Sequence, residues 1–510
     1  MDGSNINCLY CDRPYDNSVS PSIPLLNHQG PSAEADTINK RLSQIQHLTT
    51  QLLKERHDLL LRLNSIQPLT RSLPSEVLAL IFEEASREPP GTSVRVLKSR
   101  IPTGLAQTLL IGAVSTQWRT IIYSTPQLWT NLRICLDPVK FKNQMSIMMR
   151  CLSMSKSFPL NVALDFNELK LPVRYGSSED YLIAPSIDTI LRKNLSRVQR
   201  LQLWNPPQRW FRDISSLANL EELTIERSRS RIRRLSLDNA SFLLKLTLTR
   251  LNCTRINLPS STNLTHVTLF GVHLNVATNI LLHSPRLIDL QCFMLEGNVK
   301  QSELTKATVL GQLNTLTWHG IESKDWRVIF LHKIQLTALE SLRWSINQDA
   351  KGDMGYLLAL QTFFSRLISL KSLILERFMT QDVQLRFQAL MFPPLLEHLT
   401  LRNWLPSHVI AFLEFEVLVE HGDAKESHPL SHLRTLTVDI GYYSASLPDH
   451  LLEILNVLKR RPAPVSLVIY LDLNSLSGKE LSSESVELLK DQVSQLEGKL
   501  KLTMDGKKVL

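Results

Sequence analysis

The sequence predicts an α/β protein in which a small helical module precedes a long solenoid, with a curved parallel sheet on one side and helices and loops on the other. Two observations predict this order. An unbroken amphipathic helix pattern and two shorter helical patterns lie before residue 130, and a leucine-rich six-residue unit recurs from residue 198 onward. Length alone, at 510 residues, would predict about three ordinary domains instead.

Composition excludes several classes of protein. Hydrophobic residues make up 43% of the chain, enough for a sizeable core, and the glycines never take the spacing of a dinucleotide or phosphate loop. Met1–Asn5 is neither basic nor apolar, so we expect no secretory signal. With six cysteines and no credible apolar span, we expect reduced thiols, no membrane segment, and a cytoplasmic or nuclear location.

Residues 1–36 are rich in Pro, Ser, Asn and Asp and lack periodicity, which predicts a disordered tail. They contain one Cys-x-x-Cys pair, Cys8 and Cys11. A zinc site needs a second pair of ligands at matching spacing, and neither the other cysteines nor His28 supplies one. We therefore expect no metal site and no cofactor.

A long amphipathic helix is predicted over residues 37–67. Thr49 and Arg56 interrupt its heptad pattern. The apolar positions of that pattern are Ile38, Leu42, Ile45, Leu48, Leu52, Leu53, Leu59, Leu60, Leu63 and Ile66. The pattern fits two arrangements equally well: a helix packed on its own domain, and a helix that pairs with another chain.

Two further helical patterns lie in the next segment, residues 68–135. The first is the run Leu73–Phe82, with Pro74 at the expected first helical position. The second is predicted as one helix over Gln107–Tyr123, and residues 125–129 then end the module.

Three motifs in this order, LPSEVLALIF (73–82), VSTQWR (114–119) and TPQLW (125–129), resemble the F-box. Together with the preceding helix, the resemblance to the F-box-like proteins of mushroom-forming fungi covers about residues 37–135. It implies docking on a Skp-type adaptor of a cullin-RING (SCF) ubiquitin ligase. The positions that match the adaptor contacts are Leu73, Pro74, Val77, Leu80, Ile81, Val114 and Trp118. A basic, proline-containing insertion at 86–106 replaces the short acidic turn that the family usually has.

The unit h-x-x-h-x-h, where h is mostly leucine, occurs eleven times between residues 198 and 438. Most steps from unit to unit are 21–26 residues, which is the spacing of leucine-rich repeats. Positions four and six should face the core, and position five should face outward. The unit at 232–237 lies only 12 and 11 residues from its neighbours, so it is either an extra strand or an imperfect repeat.

The repeats predict a solenoid over residues 195–445. A connector with the first solenoid elements is expected over 136–194, and a helical cap over 446–510 that includes a strand-like run at 464–471.

The outward face of the sheet is expected to bind a protein substrate, because aromatic and arginine side chains are favoured at interfaces. The candidates are Trp204, Phe270, Phe293, Arg343 and Arg402. The three rings fit packing against neighbouring loops equally well. The basic run from Arg227 to Arg234 fits either an acidic or phosphorylated partner or a solvated loop.

No sequence motif of a hydrolase, metalloprotease or cysteine enzyme is present, so we expect no enzymatic activity. The leading hypothesis is a substrate receptor of an SCF ubiquitin ligase, which binds a Skp-type adaptor and cullin complex through the helices and an unknown protein substrate through the repeats. The second is a leucine-rich-repeat scaffold outside ubiquitination, in which the helices only cap the solenoid. Coverage of the Val77, Ile81 and Trp118 face by the first repeats would favour the second. Nucleic-acid binding depends only on the +9 charge and the arginine run, and we do not expect it.

Overall fold

The computed structural model confirms the predicted fold class, a set of helices followed by a long parallel repeat sheet. Short stretches are described at 407, 409–410, 453–454, 456–457, 466–471, 503–504 and 507–508. The main described ranges are 31–66, 73–87, 103–136, 141–167, 192–208, 210–227, 232–259, 262–297, 307–321, 324–345, 354–376, 393–404 and 432–440. Most of the predicted tail, residues 88–102 of the predicted insertion at 86–106, and most of the predicted C-terminal cap lie outside the described residues.

The helices of the N-terminal module come first, and shorter helices then connect the strands. Their bounds are α1 (Pro31–Ile66), α2 (Ser75–Ser86), α3 (Thr103–Val114), α4 (Thr116–Ser124), α5 (Phe141–Met154), α6 (Trp210–Asp213), α7 (Leu274–His283), α8 (Lys324–Lys333) and α9 (Met354–Ser365).

Thirteen of the described strands form one parallel sheet. In order they are β1 (Asn131–Cys135), β2 (Leu160–Asp165), β3 (Val198–Trp204), β4 (Glu222–Glu226), β6 (Lys245–Thr249), β8 (His266–Phe270), β9 (Asp289–Leu295), β11 (Thr315–Ile321), β13 (Ser341–Ser345), β14 (Ser372–Glu376), β15 (His398–Arg402), β16 (Thr435–Ile440) and β17 (Ser466–Leu471). Separate pairs are β5 (Ile232–Ser236) with β7 (Cys253–Asn257), β10 (Thr308–Val309) with β12 (Ile334–Gln335), and β18 (Thr503–Met504) with β19 (Lys507–Lys508).

The leucines of the repeat unit form the core because the strands align in register. Leu290 of β9 lies beside Leu316 of β11, which lies beside Leu342 of β13. All three are fully buried, as alternation along a strand predicts for position four. Burial of one such side chain contributes about 1.5–3 kcal/mol. Since one unit cannot bury its leucines alone, stacking of neighbouring units builds the continuous core.

A left-handed backbone turn follows several strands and links each of them to the next. Asn205, Arg227, Arg250, Gly271 and Asn403 all have φ between 50° and 57°. Each donates its backbone N–H to a carbonyl at or near the C-terminal end of the neighbouring strand, as from Arg250 N to Phe270 O at 2.6 Å and from Gly271 N to Phe293 O at 2.9 Å. The turn thus satisfies an amide that would otherwise remain unpaired at the sheet edge.

The unit at 232–237 is an extra strand and not a repeat of the main sheet. Its strand β5 pairs in parallel with β7 in a separate two-stranded sheet, while β4 pairs directly with β6. The two short steps therefore belong to one solenoid turn of 23 residues from the unit at 220 to the unit at 243.

The helical boundaries differ from the predicted ones at three places. Helix α1 begins at Pro31, where Pro suits the first helical position, so the predicted tail ends six residues early. Pro74 is the N-cap of α2 and not its first residue, since its ψ of 148° is extended while its carbonyl accepts from Leu78 N. The single helix predicted over 107–123 is two helices, because extended Ser115 caps α4 through a hydrogen bond from Trp118 N to its Oγ at 3.1 Å.

The main sheet extends beyond 195–445 in both directions, and β2 lies in the segment 136–194 where the first solenoid elements are expected. Strand β1 follows the helical module directly and pairs with β2, so the sheet starts at residue 131. At the other end β17 pairs with β16, which places the strand-like run of the predicted helical cap in the same sheet. The cap therefore includes a thirteenth strand of the solenoid.

Candidate functional site

The first candidate surface is the outer face of the helical module. On α2, Val77, Leu80 and Ile81 occupy positions i, i+3 and i+4 and are 39%, 65% and 47% exposed. Leu78 and Phe82 of the same helix are buried against the core. Helix α2 is thus apolar on both sides, and the side expected to contact an adaptor is open to solvent. We call Val77, Leu80, Ile81 and Val114 the outer helical face.

Helix α3 adds to this exposed apolar surface. Val114 is 45% exposed at the C-terminal end of α3, and Leu109 and Leu110 are 43% and 64% exposed. The sequence did not single out the last two, because α3 is apolar nearly all round. Which of its sides faces solvent depends on packing against α2 and α4, and not on a local pattern.

Three of the predicted adaptor contacts have mixed environments. Pro74 is exposed at the N-cap of α2. Leu73 is partly buried and packs against the core. The ring of Trp118 is also partly buried, with its centroid 4.8 Å from that of Phe82. Leu73 and Trp118 therefore stabilise the module itself, and substitutions there would report on folding as well as on binding.

The inner face of the module belongs to the solenoid core. Phe82, Ile121, Ile122 and Trp129 lie in the same continuous core as Leu132 of β1. The Trp129 ring donates from Nε1 to the Ile122 carbonyl at 2.9 Å. The helices therefore cover the end of the array with one face while exposing the other.

A cleft of about 700 Å³ lies where the module meets the first strands. Its lining mixes α2 and α3 side chains with outward positions of β1 to β4, including Arg87, Thr108, Asn131, Arg133 and Gln202. These residues are spread over more than 100 positions of sequence, which is why no motif identified the cleft.

The second candidate surface is the exposed face of the main sheet. Position seven of successive units forms one row across β8, β9, β11, β13, β14, β15 and β16. In register order this row is Phe270, Phe293, His319, Ser345, Glu376, Arg402 and Asp439. It divides into an aromatic part followed by a charged part.

The aromatic part contains two of the predicted substrate residues. Phe270 and Phe293 are half-buried, with ring centroids 6.4 Å apart, and the His319 ring follows at 6.3 Å from Phe293. The Arg250 guanidinium lies 5.6 Å from the Phe270 ring centre. Because the rings lie beside one another on the sheet, tilted by 38° and 42°, and are only half-covered, they offer an apolar surface with a cationic edge.

The charged part is centred on Glu376, whose side chain is 10% exposed. The predicted residue Arg343 donates to Glu376 Oε2 from Nη2 at 2.9 Å and from Nε at 3.2 Å. His319 Nε2 lies 3.7 Å from the other carboxylate oxygen. The pKa of Glu376 is lowered to about 2, first by His319 and also by the hydrogen bonds and charge of Arg343, against the opposing effect of burial. The carboxylate is therefore ionised at neutral pH, and Arg343 is held in place by it.

The remaining predicted substrate residues differ in accessibility. Arg402 is half-buried, with its Nε 3.9 Å from Asp439 Oδ2. Trp204 is only 3% exposed, with the Arg133 guanidinium 5.5 Å from its ring centre. The expectation that Trp204 is exposed is therefore wrong, because contacts from outside its own strand cover an outward position.

The basic run is only partly described. Arg227 takes the left-handed turn after β4, while Arg233 and Arg234 are exposed on β5, outside the main sheet. The rest of the run, 228–231, lies outside the described residues. Arg233 and Arg234 therefore lie on the small second sheet, and Arg227 lies in a turn that joins two strands of the main one.

In the part of the chain that the structure describes, no three His, Cys, Asp or Glu side chains are grouped as metal ligands would be. Three of the four cysteines described there are buried, and Cys135 is partly exposed. Burial raises the pKa of the thiols of Cys151, Cys253 and Cys292, with Cys151 at about 11. Such thiols are poor nucleophiles at neutral pH. Nor does any described helix combine the length and apolar character that crossing a membrane requires.

Comparison with known proteins gives a likeness in structure but none in sequence. No model of a known protein family matches the chain, and no curated protein matches it. Among solved structures, the chain is similar to the crystal structure of a TLR13–ssRNA13 complex, with 13% identity and a TM-score of 0.34. That match covers 54% of this chain and 39% of the other. The leucine-rich-repeat type of this fold is therefore assigned from the register of its own sheet.

Proposed function

We propose that this chain is an F-box-type substrate receptor of an SCF ubiquitin ligase. The observation that carries the proposal is the outer helical face, in which Val77, Leu80, Ile81 and Val114 stay 39–65% exposed on helices whose sequence resembles the F-box. Val77, Leu80 and Ile81 share one side of α2, and apolar side chains grouped on one exposed side of a protein commonly mark an interaction site. A Skp-type adaptor is the partner that the resemblance implies.

Leu80 and Ile81 are the best positions for testing the adaptor contact. They are the most exposed of the four, and neither belongs to the core, in contrast to Leu73 and Trp118. Covering each side chain in a complex contributes about 1–2 kcal/mol, and a carboxylate placed there also loses its hydration. Leu80→Asp with Ile81→Asp is therefore expected to weaken adaptor binding by about 100-fold or more.

The experiment is capture of the full-length protein by an immobilised Skp-type adaptor. Leu358→Asp with Ile368→Asp is the matched control, since these side chains are 54% and 60% exposed elsewhere on the array. We expect the adaptor to capture the wild type and the control but not the Leu80→Asp, Ile81→Asp variant. Failure of the wild type, under conditions in which a known F-box protein is captured, would contradict the proposal.

The second candidate function is a repeat scaffold outside ubiquitination, favoured by the packing of Phe82, Ile121 and Trp129 into the solenoid core. In that case the helices only cap the array. Both functions predict that Phe82→Ala destabilises the protein, by about 3–5 kcal/mol. Only the receptor predicts adaptor capture that depends on Leu80 and Ile81, so the same experiment separates the two.

The exposed face of the sheet is the surface we propose for the protein substrate. Phe270 and Phe293 provide apolar contact area, and Arg343 and Arg402 provide charge beside it. The chain itself would catalyse no reaction and would work in the cytoplasm or nucleus, bringing a target near the ligase. The Leu80→Asp, Ile81→Asp variant should retain targets without turning them over. Targets recovered with it should be lost when Phe270→Ala and Phe293→Ala are added.

A further inference from the structure

Helix α1 has an uncovered apolar face along most of its length. Nine large side chains on this face are each 46–64% exposed. They are Ile38, Leu42, Ile45, Leu48, Leu52, Leu53, Leu59, Leu60 and Leu63, and we call them the α1 stripe. Of the two arrangements that fit the sequence, packing of α1 on its own domain is therefore not seen among the described residues. A helix of 36 residues without a packing partner gains little stability in water, so the stripe needs a cover.

We propose that the α1 stripe pairs with the α1 stripe of a second copy of this chain. A heptad stripe fits another helix that repeats the same spacing over a similar length. The 36 residues of α1 extend for about 54 Å, whereas the next longest helix in the described part of the chain, α5, has only 14 residues. A second α1 is the match in both length and period.

Size and charge are both compatible with this pairing. The stripe extends from Ile38 to Leu63, which is about seven helical turns, so two copies could stay in contact over several consecutive heptads. Helix α1 carries five basic and four acidic side chains, so two copies are nearly neutral and do not repel one another strongly.

Arg56 provides an internal test of the pairing. It lies within the stripe at the heptad position equivalent to Leu42 and Leu63. A polar residue at such a position lowers the stability of a helix pair. If the stripe is the contact, Arg56→Leu should therefore strengthen dimerisation, which is the opposite of what a random surface substitution does.

The experiment is sedimentation equilibrium of the full-length protein over a concentration series. We expect a dimer for the wild type, and a dissociation constant raised by about 100-fold or more by Ile45→Asp with Leu52→Asp. Ser43→Asp with Thr50→Asp adds the same charges at the same seven-residue spacing on the other side of α1, and should leave the dimer intact. Arg56→Leu should lower the dissociation constant by roughly tenfold.

Several results would overturn the inference. A wild type that stays monomeric up to about 100 μM would exclude a stable pair. A dimer that survives Ile45→Asp with Leu52→Asp would place the contact elsewhere. The same conclusion would follow if Ser43→Asp with Thr50→Asp weakened the dimer equally, or if Arg56→Leu raised the dissociation constant. Tryptophan fluorescence of each variant shows that the repeat array, where Trp318 and Trp344 are buried, remains folded. The inference does not depend on adaptor binding.

Discussion

Removal of the Glu376 charge should make the repeat array less stable and less sensitive to acid. Glu376 lies on the sheet face opposite the core, but neighbouring side chains cover it, so that it is only 10% exposed. Arg343 donates twice to its Oε2, and His319 Nε2 lies 3.7 Å from its Oε1. Glu376→Gln keeps the shape of the side chain and removes its charge. Arg343, which is 29% exposed, is then left facing a neutral amide.

The expected magnitude follows from the pKa of Glu376, which is lowered to about 2 in the folded protein. An unfolded glutamate has a pKa of about 4.3, so the folded state gains about 3 kcal/mol from the ionised form. Since the folded pKa is the lower one, this stabilisation is complete above about pH 5 and is lost as the pH falls toward 2. At pH 3 roughly half of it, or about 1.7 kcal/mol, should be gone.

The assay is urea unfolding of the wild type and Glu376→Gln at pH 7 and pH 3, followed by tryptophan fluorescence. We expect the variant to lose about 2–3 kcal/mol at pH 7 and the difference between the two proteins to narrow at pH 3. Glu222→Gln is the control, because Glu222 is more exposed and its ion pairs with Arg200 and Lys245 are longer, at 3.6 and 3.3 Å. Its effect should be below about 1 kcal/mol. Equal acid sensitivity of the wild type and Glu376→Gln would refute the reasoning.

Three further predictions concern local structure. Ser115→Ala removes the Oγ that accepts from Trp118 N, so thermal unfolding should show a loss of about 1 kcal/mol that Ser115→Thr largely restores. Gly271→Ala places a Cβ 3.3 Å from Arg250 Cγ at φ +57°, and the same measurement should show a loss of about 1–2 kcal/mol. Because burial raises the pKa of the Cys292 thiol well above its ordinary value, mass spectrometry should find it unmodified by iodoacetamide at pH 8 until urea is added.

The repeat array could be predicted because its signal is local and repeated. Positions four and six of the repeat unit lie on a strand and must share one face. The same pattern at steps of 21–26 residues specifies stacked units. The unit at 232–237 shows where this reasoning ends. Alternation is the same for any half-buried strand, so it did not distinguish β5, which pairs with β7, from a strand of the main sheet. Only the short steps on either side indicated a difference.

Contacts between distant residues account for the features that the sequence did not predict. Trp204 occupies an outward position but is covered in part by Arg133 from two strands away. The ion pair at Glu376 has no local sequence signal, because Arg343 and His319 precede it by 33 and 57 residues and meet it only through sheet register. Ser115 is the exception, since an N-cap serine before Thr116–Ser124 is a local signal that could have divided the predicted helix.

The proposed docking role of the helical module is compatible with capping of the array, because the two roles would use different faces of the module. Phe82 and Trp129 belong to the core that continues into β1, whereas Leu80 and Ile81 are exposed on the other side of the module. Substitutions on the two faces should therefore have separable effects. Those in the core should reduce the stability of the array whether or not an adaptor binds, and those on the outer helical face should change only the proposed binding. A loss of both properties from Leu80→Asp with Ile81→Asp would mean that the outer helical face also supports the fold.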